Sequence, residues 1–515
     1  MKRNLIIFAV LAVAILLVYS NSFKTEWHFD DSVNITRNKN IHMTEFNWQS
    51  IKASWFSGGQ RGDIYHPILY RPVSMFSFAL NYYFHGLDVL GYHIVNVLVH
   101  IIAALFLFLF IVQVLTLPKL REKYGDYAWQ IAGIAALLWA VNPVQLTNIT
   151  YIVQRQAALC GMFYIAGVYF YIRARKSKSL HQYILSGVAI VLAVGSKENA
   201  IMALFAIALF EVMFFGVTRK KLYVFGGLIV GGVLLVLAVQ GWETFSGAKL
   251  AAGYAKRDFT LAQRLLTEPR VVVFYIMLLL FPYHGLLSLT HVVPLSHGLL
   301  NPPETLVGLL IITLFLALAL LKIRKHPLIA YCIFFFFLNH IVESSFLPLE
   351  LVYEHRNYVP SMLFFVPIAI VIIHLYRHWL KSVAIVGTAL VLLFMGYNTY
   401  TQNKVWVDDL SLWHDVCKKS PDPRSVFNYA GSIYREHDLK RAMEFWQISY
   451  QFNHVFGTDY KEDPNIIPYG RVMYMAYNNY KKVKLLYDHA QGWENLTPAN
   501  AWTIRRKPQN EIKDG

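Results

Sequence analysis

Apolar residues in this chain gather into uninterrupted runs instead of one-sided stripes. Stretches such as NLIIFAVLAVAILLVYS and VGLLIITLFLALALL carry no charge. Each approaches the roughly 20 residues needed to cross a hydrocarbon core of about 30 Å. In lipid only a helix or a closed barrel satisfies its own backbone, and runs of this length predict helices. Beyond the N-terminal run, spans are expected near residues 92–114, 128–141, 156–172, 182–196, 199–217, 222–240, 304–321, 328–342, 360–376 and 382–398. That makes about eleven spans. One apolar run, within residues 270–283, is too short and ends in Phe-Pro, so a re-entrant or interfacial segment is expected there.

The polar stretches divide into two kinds. Short basic clusters, KLREK, RARKSK, TRKK, KIRKH and RHWLK, separate alternate runs. They mark cytoplasmic loops under the positive-inside rule. The formal charge of +16 is therefore a topological signal, and a nucleic-acid partner is not expected. With Lys2 and Arg3 inside, the first run is read as an uncleaved anchor that is also the first span, because no small-residue cleavage site follows it. Parity then places a large first loop, residues 21–90, and the polar segment 399–515 on the external side of residues 1–398.

Composition agrees. Of 515 residues 56% are hydrophobic and mean hydropathy is +0.40, values of an integral membrane protein. Cys160, Cys332 and Cys417 are far apart and offer neither a disulfide frame nor zinc spacing. No metal site is read, and metal dependence stays open.

In the C-terminal segment, SVFNYAGSIYREHDLKRAMEFWQISYQF places Gly431 and Tyr434 on one helix and Ala442 and Trp446 on the next, an approximate tetratricopeptide unit. A poorer copy is read in YGRVMYMAYNNYKKVKLLYDHA. Two such units are too few to be stable alone, so a short docked cap is expected.

Ionisable residues at membrane depth are functional candidates because each costs roughly 2.5–3.5 kcal/mol on insertion scales. Four external segments carry them: Asp30 and Asp31 with Arg71 later in the same loop; Arg155 in NPVQLTNITYIVQRQ; Lys197 and Glu198 in GSKENA; and Glu343, Glu350, Glu354, His355 and Arg356 in NHIVESSFLPLELVYEHRNYVPS. Each has a plainer alternative. The aspartates suit a solvated loop or a cap, Lys197 and Glu198 a local pair, and Arg356 a snorkelling position. His66, His85, His93 and His100 show no metal spacing. Cations at the outer face suit a phosphate, and a facing carboxylate suits a base that takes a proton from a hydroxyl. Together they describe group transfer from a lipid-linked phosphate to a hydroxyl acceptor.

These segments, together with FTLAQRLLTEPRVVVFYIMLLLFP and VWVDDLSLWHDVCKKSPD, resemble in order the bacterial members of the transmembrane and tetratricopeptide-repeat-containing family. That family sits within the C-type (GT-C) glycosyltransferases, alongside protein O-mannosyltransferases and aminoarabinose transferases. The resemblance implies a many-spanned fold in the bacterial inner membrane, an acidic pair in the first external loop, and a polyprenyl-phosphate-linked sugar as donor. It implies Asp30 as base and Asp31 as its acceptor-orienting neighbour, with Arg155, Lys197 and Arg356, and more weakly Arg71, on the donor phosphate. Glu354, His355, Glu198, Tyr358 and His66 would support the site. Asn142 departs from the pattern, since a His precedes the proline in relatives. The expected partners are the donor, membrane lipids and a protein acceptor. Four other functions stay open: transfer of a whole oligosaccharide, glycosylation of a lipid or polysaccharide, transport of lipid-linked sugars, and a non-catalytic scaffold.

Overall fold

The computed structural model describes residues 2–57, 70–216, 218–240, 246–378, 380–451 and 468–490, and among them the chain is helix and loop, with one isolated bridge between Gly298 and Asn301. Among the described residues six helices are long and apolar enough to cross a membrane: Val89–Leu115, Ile152–Ser177, Glu198–Phe215, Glu304–Lys322, Pro360–His378 and Lys381–Val405. A bent pair, Pro118–Ala140 and Pro143–Ile149, passes the same test as a unit with a 56° break. Shorter apolar helices, Arg3–Val18, Leu180–Ser196, Tyr223–Leu234 and Pro327–His340, coincide with four further expected spans.

The break in the bent pair has a local cause. Asn142 is extended, its side-chain oxygen accepts the Val144 N–H at 3.0 Å, and Pro143 opens the next turn. Its amide nitrogen also donates to the Leu279 carbonyl at 3.1 Å. The residue that departs from the family pattern therefore caps a turn here.

The short run expected to be re-entrant or interfacial is largely part of one continuous helix, Leu261–Leu280, with Pro269 inside it, and this helix is not among those long and apolar enough to cross a membrane. The extra length comes from LAQRLLTEPR, a polar stretch that the apolar run did not include. Its Arg264 pairs with Glu268 at 2.6 Å, both side chains being buried. Arg264 also donates to the Ser345 and Glu343 carbonyls, each at 2.7 Å, and to Leu349. This guanidinium pins the backbone of the irregular segment leading to Arg356.

Two compact units divide the chain. The first comprises residues 1–250, 261–289 and 295–408; the helix Lys381–Val405 runs past residue 398, where the sequence pattern ended the last span. The second comprises residues 251–260, 290–294 and 409–515, of which the two short internal pieces left no signal in the hydropathy pattern.

Within the second unit, Pro423–Arg435 and Leu439–Gln451 form a helical hairpin. Asp422 and Ser425 close a capping box at its start, and Tyr434 meets Trp446 at 5.4 Å between ring centres. The stretch read as a second, poorer repeat is a single helix, Pro468–Ala490, packed on the hairpin.

Candidate functional site

The two adjacent aspartates point to different surroundings. The chain tightens at residues 28–31, where Phe29 takes φ +40°, a conformation costing about 1–3 kcal/mol for a residue with a side chain. Asp31 is fully buried, and its two carboxylate oxygens accept the His28 N–H at 3.0 Å and the Val153 N–H at 2.7 Å. It is the strut that joins the first loop to the segment before Arg155. Asp30 is exposed, and its backbone N–H donates to the Tyr151 hydroxyl at 2.8 Å. The tight turn thus buries one carboxylate and presents the other.

Burial pushes the Asp31 carboxyl up to about 7, against the lowering effect of the His28 N–H and charge and the Val153 N–H. The fold therefore favours the protonated acid over the usual value of 3.8. This contribution to stability is fully present below pH 4 or so and is lost as pH rises through about 7. The thermal midpoint in detergent is expected to fall between roughly pH 5 and pH 8, and Asp31→Asn should remove that part of the slope.

The cations occupy equally distinct settings. Arg155 is fully buried and donates to Asn96 Oδ1 and Asn81 Oδ1, both at 2.5 Å, to the Tyr92 carbonyl at 3.0 Å and to the Ser77 carbonyl at 3.2 Å. Its guanidinium carbon lies 4.6 Å from the centre of the Phe78 ring. Four of its donor contacts go to protein acceptors, so Arg155 staples the N-terminal end of Val89–Leu115.

Lys197 and Glu198 do not pair with each other. The chain is extended at Lys197, between the helix Leu180–Ser196 and the turn that follows it, so the two side chains diverge. Lys197 bonds Glu343 at 2.7 Å, and Asn199 holds the other oxygen of Glu343 at 3.0 Å. Glu198 takes a two-pronged contact from Arg71, at 2.7 and 2.9 Å, and Arg71 also donates to Gln156. Burial works against ionisation of Glu343, but Lys197 and Arg356 outweigh it and hold its carboxyl below the usual range.

Arg356 is the exception. It is 4% exposed, its guanidinium makes one hydrogen bond among the described residues, to the Leu351 carbonyl at 3.0 Å, and its guanidinium carbon lies 5.4 Å from the centre of the Tyr353 ring. Among the described residues no carboxylate forms an ion pair with it. Burial opposes its charge, while Tyr275, Glu343 and Glu268 at longer range raise its proton affinity. Beside it His355 stacks on Tyr353 at 5.0 Å. Burial, then Lys197, Arg356 and Arg71, hold its imidazole well below its ordinary range, so it stays neutral. The arrangement is a buried cation with open donors beside a neutral imidazole.

Glu354 accepts the Ser288 N–H at 2.7 Å and closes the loop ahead of Arg356. Tyr358, expected to support the site, is buried. Its hydroxyl meets His100 Nδ1 at 2.9 Å, and its ring sits in an aromatic core with Trp139, 5.0 Å away. His66 lies outside the described residues. Among those residues no group of three His, Cys, Asp or Glu side chains could hold a metal.

The four candidate segments are nonetheless joined by direct contacts. Asp30 and Asp31 bond Tyr151 and Val153, Arg71 bonds Glu198, Lys197 bonds Glu343, and residues 146–149 pack on residues 354–357. Tyr151 and the Arg264–Glu268 pair were absent from the candidate set, and Glu343 was in it without an assigned partner. The i,i+4 spacing of Arg264 and Glu268 next to Pro269 in an otherwise apolar helix was the available signal.

Below this cluster runs an apolar groove of about 790 Å³, walled by Ile190, Val194, Leu204, Ile207, Leu228 and Val236 among others. Glu198 and Glu211 also line it. Glu211 is held by Arg175 at 2.8 and 3.0 Å and by the Tyr171 hydroxyl at 2.7 Å. The thirteen residues from Glu198 to Glu211 correspond to a helical rise of roughly 20 Å.

Fold and site together define a polytopic helical membrane protein with a charged cluster at the helix ends and an apolar groove leading from it. The chain is similar to a protein O-mannosyl-transferase of Caenorhabditis elegans, 23% identical over 86% of this chain and 62% of the relative. It is also similar to the protein O-mannosyl-transferase TMTC3 of Homo sapiens, 23% identical over 98% of this chain and 57% of the relative. The protein O-mannosyl-transferase tmtc2 of Xenopus laevis is 30% identical over 39% of this chain and 23% of its own length. The chain thus spans less than two thirds of each of these relatives. No family model matches it, and no solved structure does.

Proposed function

We propose that this protein is a membrane glycosyltransferase of the GT-C type, with about eleven spans, that moves a sugar from a polyprenyl-phosphate-linked donor to a hydroxyl of a protein acceptor. The observation that carries this reading is the pairing of an exposed Asp30 with a buried, incompletely bonded Arg356 on segments joined through residues 146–153. The names of the similar proteins support mannose as the sugar and protein as the acceptor. The apolar groove, whose lining includes Glu198, supports a long-chain lipid carrier.

In this reading the donor phosphate lies against Arg356, with Lys197 and Arg71 supplying positive potential while their own carboxylate partners keep them in place. Asp30 takes the proton of the acceptor hydroxyl. The acceptor oxygen then bonds to the anomeric carbon as the bond from that carbon to the phosphate oxygen breaks, and the electron pair leaves with the lipid phosphate. A single displacement inverts the anomeric centre. Asp31 holds the turn that aims Asp30. The first loop and the helical segment after residue 398 lie outside the bacterial inner membrane in this scheme, the latter facing the acceptor.

Mass spectrometry of envelope proteins from cells with and without the gene product tests the proposal. The expected result is hexose on Ser or Thr that vanishes with the gene. Hexose lost from a glycolipid or polysaccharide instead would move the acceptor to that class. Unchanged glycans would favour transport or a scaffold.

A further inference from the structure

Buried side-chain polar atoms without partners are rare in folded proteins, because each costs about 1–3 kcal/mol. Among the described residues they occur at several places, and one group of them falls on residues 145–148 and the neighbouring Asn357. Neither amide atom of Asn148 has a hydrogen-bond partner among the described residues, and the side chain is fully buried. The Thr147 hydroxyl, Gln145 Oε1 and Asn357 Oδ1 are in the same condition, with side chains at most 4% exposed. The other ends of this set are anchored. Gln145 donates to the Ser361 hydroxyl at 3.0 Å, and the Asn357 amide to the Glu354 carbonyl at 3.2 Å. The two loops are held in place while four polar groups stay open.

Their place in the chain gives them a use. Tyr151 and Val153, a few residues on, bond Asp30 and Asp31, and residues 146–149 pack against Glu354–Asn357, which contains Arg356. This rests on the glycosyl-transfer reading: in such a displacement the sugar ring must lie between the base and the departing phosphate. The stretch joining Asp30 to Arg356 is where the ring would be met.

We propose that Thr147 and Asn148, with Gln145 and Asn357, form the subsite that reads the hydroxyl pattern of the transferred sugar. The set is neutral and mixes donors with acceptors. That suits hydroxyls, each of which is both, and suits neither a phosphate nor an isoprenoid chain. A site built to bond hydroxyls rejects an epimer because its own buried groups are then left open.

The test uses the full chain in proteoliposomes, with polyprenyl-phosphate mannose and polyprenyl-phosphate glucose as alternative donors. Asn148→Leu and Thr147→Val are expected to lower the ratio of kcat/KM for the two donors by about 10-fold or more. Inhibition by polyprenyl phosphate alone should be unchanged. Without donor, Asn148→Leu should also raise the thermal midpoint, since it removes an open buried amide. A donor ratio that stays at the wild-type value, or a lowered midpoint, would overturn the assignment and make the amide a structural group satisfied by water. Thr147→Val keeps the shape of threonine and supplies the ratio if the leucine variant does not fold. A wild-type chain that transfers neither sugar would instead remove the glycosyl-transfer reading, and the subsite with it.

Discussion

Asp30→Asn is expected to reduce sugar transfer by at least about 10²-fold, the scale of a lost general base, while leaving the thermal midpoint within a degree or so of wild type. The reasoning is geometric. Asp30 is exposed, and the bond that places it comes from its backbone N–H to Tyr151, which the substitution keeps. Asp31→Asn should behave in the opposite way. Asparagine retains one acceptor oxygen but turns an NH₂ toward either the His28 or the Val153 N–H, so one buried donor faces another. A loss of about 1–3 kcal/mol follows, seen as a lower midpoint at pH 5, where the wild-type strut is strongest. Activity measured per folded molecule separates the two residues. If Asp30→Asn transfers sugar at the wild-type rate, the base lies elsewhere.

Arg356→Ala is expected to cost about 10²–10³ in turnover, the loss that follows removal of one charge-stabilising donor from a developing anion. Saturation by the lipid donor should weaken more than saturation by the acceptor. Arg155→Ala should differ in kind: its donors hold the Asn81 and Asn96 side chains and two carbonyls in a buried site, so its removal should unfold the N-terminal end of Val89–Leu115. Arg356→Lys refines the comparison. It keeps the charge and loses the planar fork, and an intermediate effect on donor use is expected. If Arg356→Ala weakens acceptor use and spares donor use, the phosphate lies elsewhere.

Much of the membrane part was legible because a run of about 20 apolar residues has few physical alternatives to a helix. Irregular segments were harder. Leu261–Leu280 was foreshortened because its first half carries charge, and the charge is tolerated only because Arg264 and Glu268 neutralise each other inside the unit. The candidate site was legible as a set of segments, since ionisable residues at helix ends are costly unless used. Its pairings were not. Lys197 and Glu198 are adjacent in sequence yet bond residues on either side of the site, and no local pattern encodes that. The contrast between Asp30 and Asp31 likewise depends on the Val153 N–H, which comes from 122 positions away. The open amides at residues 145–148 carry no sequence signal, because Asn and Thr near a helix break ordinarily read as caps.

The central claim is transfer of a sugar from a lipid phosphate to protein, and the most direct measurement supplies both. Purified full-length chain in liposomes is given polyprenyl-phosphate mannose labelled in the sugar, with envelope protein as acceptor. Label appearing on Ser or Thr of protein at a rate proportional to enzyme, and absent with Asp30→Asn, is the predicted result. Label that stays on the lipid, or that moves equally well with Asp30→Asn, would contradict the account.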